Sequence, residues 1–292
     1  MSPSPPAEAP AVTPRLLRAW PLPAPGDDAT KHERGTVLVV GGAVSTPGAV
    51  LLPAIAALRV GAGRLQVATV EATSIALGTA VPEALVVGLP ADEDGSLSAR
   101  GADWIVEHGK DAACVILGPG LLDRDGTLAL LEAVLPRLEC RSLVLDALAL
   151  VALAGHEKLL AGRERVVLTP NEGELAALLD GEQLDGRQGA SRAAERYGAV
   201  VATGGWTVSP DGRVWRDETG GVGLGTSGSG DVLAGAIGGL LALGAESEQA
   251  AVFGQYAHAA AGDRLTERTG RLGFLARELL EELPVVLMSL RN

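Results

Sequence analysis

The stretch GTVLVVGGAVSTPGAVLLPAIAALRVGAG, residues 35–63, sets the fold of the chain. It begins with a compact β-branched run that ends at Gly41 and Gly42. Small and aliphatic residues suited to a packed helix follow. The expected unit is therefore a strand, a glycine turn and a helix. The same alternation continues through RLQVATV (64–70), a helix over 71–80, ALVVGL (84–89), a helix over 98–109 and AACVILGPG (112–120). A helix over 125–137, SLVLDAL (142–148), RVVLTPN (165–171), the helix EGELAALL, a helix over 188–197 and AVVATGG (199–205) complete it. Such a βαβ rhythm predicts an α/β fold, a mostly parallel sheet with helices on both faces. WTVSPDGRVWRD (206–217) departs from the rhythm as two short strands around an Asp-Gly turn, the pattern of an edge hairpin. Helices are expected over 229–243, 246–268 and 273–283.

A chain of 292 residues with 47% hydrophobic content can bury one large core. It has no repeat of solenoid period and no linker inside 30–290, so 14–292 reads as a single domain. Residues 1–13 lack both a basic start and an apolar core, so they read as a disordered segment rather than a secretion signal. The longest apolar run, 232–245, is too short and too rich in glycine to span a bilayer. These features place the chain in the cytoplasm and away from membranes. A net charge of −12 argues against a nucleic-acid partner, whose phosphates require a basic face. Any bound phosphate must instead be held locally, by N–H groups and metal. Cys114 and Cys140 have no ligand spacing and read as buried free thiols of a reducing compartment.

GTSGSGDVLAG (225–235) places a glycine- and hydroxyl-rich loop directly before an apolar helix. The N–H groups of Gly228, Ser229 and Gly230 can converge on an anion there, aided by the helix N-terminus. Asp231 at its rim is then placed to take a proton from an attacking hydroxyl while the hole receives a phosphoryl group. As the alternative, Asp231 is a helix N-cap above a plain glycine turn. Gly42, Gly120, Asp146, Asn171 with Glu174, and Gly204 all follow predicted strands. In an open parallel sheet the carboxyl ends of the strands form one ligand-binding rim, so these residues should share a cleft with Asp231.

In this order, GGAVSTPGAVLLPAIAALRVGAG, ILGPGL, LVLDALAL, TPNEGE and GTSGSGDVLAG resemble the ADP/ATP-dependent NAD(P)H-hydrate dehydratases, a branch of the ribokinase-like superfamily. The resemblance covers about residues 14–285 and is to the stand-alone form, without an epimerase domain. It implies a ribokinase-like three-layer sandwich and a hydro-lyase acting in metabolite repair. A nucleotide phosphorylates the C6 hydroxyl of hydrated NADH or NADPH, and phosphate elimination restores the dihydronicotinamide. Bacterial members generally use ADP and leave AMP. Asp231 would be the base, and Gly228, Ser229 and Gly230 the hole. Gly42, Ala49, Gly120, Asp146 and Asn171 would contact the hydrated cofactor, Thr203, Gly204 and Gly230 the nucleotide, and Glu174 a mostly water-bound Mg²⁺. A homo-oligomer, such as a tetramer, is also implied.

Three positions depart from the family pattern. Asn171 replaces a histidine, Leu148 replaces a second acid after Asp146, and Thr203 stands where a lysine would help hold the nucleotide. The pair Asn171 and Glu174 also reproduces the N-x-x-E of small-molecule kinases, so a sugar or vitamin kinase and a non-catalytic nucleotide-binding homologue remain alternatives. Glu174 can equally be a first-turn carboxylate favoured by the helix dipole, and Asp146 a strand-end turn cap. His258 reads as a packing residue. In KHERG (31–35), Lys31 and Arg34 are either phosphate ligands or solvated loop charges.

Overall fold

The computed structural model describes residues 9–26 and 28–291. Strand β1 (Thr36–Val40) is buried at every position, as a strand covered on both faces must be. The chain orders its other elements as α1 (Pro14–Ala19), α2 (Gly48–Arg59), β2 (Arg64–Val70), α3 (Glu71–Ala80), β3 (Ala84–Leu89), α4 (Ala102–Gly109) and β4 (Cys114–Leu117). Then come α5 (Arg124–Val134), β5 (Leu143–Leu145), α6 (Leu148–Leu153), β6 (Val166–Leu168), α7 (Glu172–Leu178), α8 (Gly186–Tyr197) and β7 (Val200–Thr203). The hairpin β8 (Trp206–Val208) and β9 (Val214–Arg216) leads into α9 (Ser229–Ala242), α10 (Ser247–Thr269) and α11 (Ala276–Ser289).

All nine strands form one sheet in the order β3-β2-β1-β4-β5-β6-β7-β8-β9. The strands from β3 to β7 pair in parallel, and the hairpin adds two antiparallel strands at one edge. Alternation along the strands divides the core. Val37, Val39, Ile116, Val144 and Val167 face the layer that contains α2, α9, α10 and α11. Leu38, Val40, Val115, Leu117, Leu145 and Leu168 face the layer that contains α4 to α8. This is the three-layer sandwich with helices on both faces. Connections from β1 and β4 lead to opposite edges, so the strand order reverses between these two neighbours. Such a reversal opens a crevice at the carboxyl ends of the strands.

Two short helices were not anticipated. At six residues each, α1 and α6 are too short for a 3.6-residue period to register. α1 is marked only by its cap, where Thr13 Oγ1 accepts from Leu16 N–H at 3.2 Å. The disorder expected for 1–13 requires a correction in its second half; residues 1–8 lie outside the described residues. Val12 is buried and donates its N–H to Arg216 O at 2.7 Å, while Arg216 N–H donates to Pro10 O at 3.1 Å. This short segment thus covers the free edge of β9. Cys114 and Cys140 are both free, and burial raises both thiols. Among the described residues no helix is long and apolar enough to cross a membrane.

The inner face of α9 is stripped of side chains where it meets α2 and β4. A Cβ at Gly235 would lie 2.5 Å from Pro53 Cα and 2.7 Å from Ala56 Cβ, so no larger residue fits without moving the helix. Gly235→Ala should therefore destabilise by about 1–3 kcal/mol. Gly78→Ala in α3, where a Cβ would meet nothing nearer than 3.8 Å, should instead stabilise by about 0.5–1 kcal/mol. Urea unfolding of the two variants checks the contrast; a Gly235→Ala protein as stable as wild type would show that the helix contact is loose.

Candidate active site

The crevice between β1 and β4 is closed by backbone. Gly42 N–H donates to Pro119 O at 2.8 Å, and Thr46 Oγ1 donates to Gly120 O at 2.7 Å. Gly120 has φ +72, and a Cβ there would lie 2.8 Å from Ala49 Cβ and 3.1 Å from Gly42 Cα. Gly42, Ala49 and Gly120 therefore meet at one place, the topological switch point. Beside them on β2 sits Thr69, whose buried hydroxyl has no partner among the described residues. Sequence pattern gave no sign of it, because a threonine in a strand is ordinary.

Asp146 follows β5 and is buried. Its Oδ1 accepts from Thr169 Oγ1 at 2.8 Å, and it makes no cap bond to α6, which begins after Ala147 at φ +53. It is thus not the cap of α6. Burial pushes its carboxyl up to about 7, with the Glu174 charge adding to the rise and the Thr169 bond opposing it.

Asp231 is the third residue of α9. Gly228, at φ +88, occupies the N-cap position, and no side chain caps the helix. Asp231 is therefore not the cap either. Its carboxyl is raised to about 8, first by burial, then by the charges of Asp146 and Glu174. The three N–H groups expected to form the anion hole divide. Ser229 N–H donates to Thr226 O at 3.2 Å, while those of Gly228 and Gly230 have no acceptor among the described residues. A Cβ at Gly230 would meet nothing within 4 Å, so the hole opens there.

Ser229 is buried, and its hydroxyl pairs with His258 Nε2 at 2.8 Å. Burial lowers the imidazole to about 4, which keeps it neutral near pH 7. His258 is buried as expected, but it also ties the first residue of α9 to α10. Asn171 and Glu174 form a capping box on α7: Glu174 N–H donates to Asn171 Oδ1 at 3.0 Å, and Asn171 N–H donates to Glu174 Oε2 at 2.9 Å. Burial raises Glu174, against the lowering effect of the Asn171 bonds. Its first-turn structural role is real.

Thr203 is buried at the end of β7, paired with Trp206 across the hairpin. A cavity of about 380 Å³ opens next to it, bounded by Gly204, Asp217, Gly220, Leu233, Gln255 and His258. Another of about 350 Å³ lies toward α7 and α8 and includes Thr203 and Gly204. Lys31 and Arg34 belong elsewhere. Arg34 O accepts from Gly63 N–H at 3.2 Å, and Gly35 abuts Ala242 O at the far end of α9. Fourteen residues of helix put them about 20 Å from the Gly228 end, so they are not phosphate ligands. A cavity of about 600 Å³ also lies on that opposite rim. Its Arg163 and Arg165 already donate to the carbonyls of Leu135, Leu138 and Ala245, so they fasten loops together.

With this geometry in view, likeness to known proteins is informative. A family model for NAD(P)H-hydrate dehydratase matches residues 37–285. The chain belongs to the NAD(P)H-hydrate dehydratase family. It is 41% identical to an ADP-dependent (S)-NAD(P)H-hydrate dehydratase of Xanthomonas campestris, over 94% of this chain and 95% of that protein. The ADP/ATP-dependent NAD(P)H-hydrate dehydratase of Bacillus subtilis, co-crystallised with ATP and Mg²⁺, is 27% identical with a TM-score of 0.78, covering 97% of this chain and 99% of that one. A ribokinase-like superfamily protein from Enterococcus faecalis has a TM-score of 0.80 at 24% identity over 97% of each chain, a likeness of fold.

For a member of this family the acids pose a charge question. Among the described residues no three His, Cys, Asp or Glu side chains form a group that could hold a metal ion by themselves. Yet Asp146, Glu174 and Asp231 are close enough for the first and third to be raised by their acidic neighbours. An uncompensated acidic field without an all-protein cage suits Mg²⁺, which keeps several waters and takes ligands from phosphates.

Stability should follow from the same shifts. Asp146 and Asp231 hold protons more tightly when folded, at about 7 and about 8, than the ordinary aspartate value of 3.8. The native state therefore binds more protons between roughly pH 4 and 8, and stability falls as pH rises through that window. Asp231→Asn removes one buried charge and relieves Asp146. Its melting temperature should exceed that of wild type at pH 8, and the gain should vanish by about pH 4. A gain that is the same at both pH values would show that neither burial nor the acidic neighbours raise the Asp231 carboxyl.

Proposed function

We propose that this protein is a nucleotide-dependent NAD(P)H-hydrate dehydratase, with residues 14–292 acting as one catalytic unit. The observation that carries this is Asp231, a half-buried carboxylate that caps nothing and stands beside the open N–H groups of Gly228 and Gly230. A carboxylate raised to about 8 is a strong base once ionised. Bound Mg²⁺, held through Glu174 and the nucleotide phosphates, would supply the positive charge that offsets the acidic field. Gly42, Ala49 and Gly120 form a bed without bulky side chains for the hydrated nicotinamide ring, while Asp146 and Asn171 supply polar contacts.

Asp231 takes the proton of the C6 hydroxyl as that oxygen forms a bond to the terminal phosphorus of ADP. The bond from phosphorus to the leaving nucleotide breaks, and AMP departs. Gly228 and Gly230 N–H groups receive the charge that builds on the phosphoryl oxygens. Phosphate then leaves C6, driven by the ring nitrogen lone pair, and loss of a C5 proton restores the dihydronicotinamide. ATP can replace ADP in the same geometry. Two free thiols, at Cys114 and Cys140, suit a reducing cytoplasm, and a homo-oligomer accompanies this reading as the family's form.

Incubation with Mg²⁺, ADP and hydrated NADH should restore dihydronicotinamide absorbance. A stable phosphorylated sugar or vitamin would instead favour the kinase suggested by the Asn171–Glu174 pair, and saturable binding without turnover a non-catalytic role. Asp231→Asn should lower hydrate turnover at least about a hundredfold while ADP binding by calorimetry is kept or tightened, because a charge facing the phosphates is lost. Near-normal turnover in that variant would remove Asp231 from the mechanism.

A further inference from the structure

The two cavities beside Thr203 lie in a protein of net charge −12, and their walls are mainly acidic or neutral. Asp217 and Glu218 line one; Glu172, Glu182 and Asp185 line the other. Thr203 brings no charge to either. One arginine lines both, Arg216 at the end of β9. Apart from His258, which burial keeps neutral, it is the only basic residue among those lining the two cavities.

We propose that Arg216 is the residue that binds the nucleotide's polyphosphate chain, supplying from the edge hairpin the positive charge that Thr203 does not. The proposal rests on the nucleotide-dependent activity argued above. Arg216 is held for such work from three sides. Its Nη1 donates to Gly204 O at 2.7 Å, beside Thr203 in the turn between β7 and β8. Its guanidinium stacks over Trp206, 4.8 Å from the ring centroid. Its backbone pairs with Trp206 on one side and with residues 10–12 on the other.

Neighbouring Arg213 shows what an arginine of this hairpin does when it serves the surface, since it pairs with both Asp211 and Glu248 at 2.7 Å. Arg216 makes no salt bridge among the described residues. One of its five N–H groups meets Gly204, and no other acceptor among the described residues takes the rest. A planar fork of donors with weak hydration, preset by stacking, suits bidentate phosphate contacts. The N–H groups of Gly228 and Gly230 then address the transferred phosphoryl group, and Arg216 the chain behind it.

Calorimetric titration of wild type, Arg216→Gln and Arg216→Lys with ADP and with adenosine tests this. Arg216→Gln should lose at least about fivefold in ADP affinity, the equivalent of about 1 kcal/mol for a partly exposed charge pair. Its adenosine affinity should not change, and Arg216→Lys should keep most of the ADP affinity. Equal losses for ADP and adenosine would overturn the proposal, because Arg216 would then only support Gly204 and Trp206. Unchanged ADP affinity would overturn it as well. If thermal unfolding shows Arg216→Gln to be misfolded, Arg216→Met, which keeps an apolar stem against Trp206 without the charge, carries the test, and an ADP affinity equal to that of wild type in it overturns the proposal. Wild type that binds no ADP sinks the proposed activity and the Arg216 assignment together, whereas ADP turnover by wild type with an unaffected Gln variant sinks the Arg216 assignment alone.

Discussion

Everything at the rim depends on how closely α9 can approach its neighbours. Gly235, Gly238 and Gly239 let the helix backbone rest against Pro53, Ile116 and Val60, distances that no other residue type allows. That contact aims the N-terminus of α9 at the carboxyl ends of the strands. Unpaired N–H groups at a helix start carry partial positive charge, and here they stand over the reversal between β1 and β4. Gly228 completes the placement, since its left-handed backbone turns the loop inward where another residue would be strained. Packing in the core thus determines the direction of charge at the surface.

Charge at the rim is deliberately unbalanced by burial. Asp146 and Asp231 are held up by burial first and then by acidic neighbours, and the folded protein loses stability by keeping them there as pH rises. Such groups are commonly found where chemistry requires a shifted proton affinity. A Mg²⁺ that takes ligands from bound phosphates would balance them without an all-protein cage. His258 contributes differently: neutral and buried, it fixes Ser229 and thereby the first turn of α9 without adding charge.

Most of the architecture was legible because its signals are periodic. Buried parallel strands are short apolar runs rich in valine and leucine, and β1, β4 and β7 are also ended by glycine. The rim could be inferred from topology alone, so Gly42, Gly120, Asp146, Asn171 and Asp231 were correctly gathered at one end. Contacts that depend on a single bond were not legible. Whether an acid caps its helix turns on phase: Asp146 stands one residue before Ala147 and Asp231 three residues after Gly228, and those two hold the N-cap places. Ser229 N–H is occupied by Thr226, a local turn that composition does not encode. Lys31 and Arg34 precede β1 instead of following it, and that fact alone puts them on the wrong rim. Residues 10–12 looked disordered because proline and alanine form no pattern, yet two backbone bonds to Arg216 order them.

A site for a polyanion within an acidic protein needs positive charge that is local and fixed, since the overall field opposes binding. Backbone N–H groups meet that need without side-chain entropy, but they can reach only the group directly above the helix. On the proposed reading a nucleotide would extend farther, past the end of β7 and the start of β8. There the hairpin brings Trp206 and Arg216 side by side, and the strip formed by residues 10–12 keeps the edge of β9 from drifting. The hairpin is thus more than a cap on the sheet edge. By extending the sheet past Thr203, it carries a basic side chain to a wall that the parallel core leaves neutral, and it does so on a rigid strand instead of a loop.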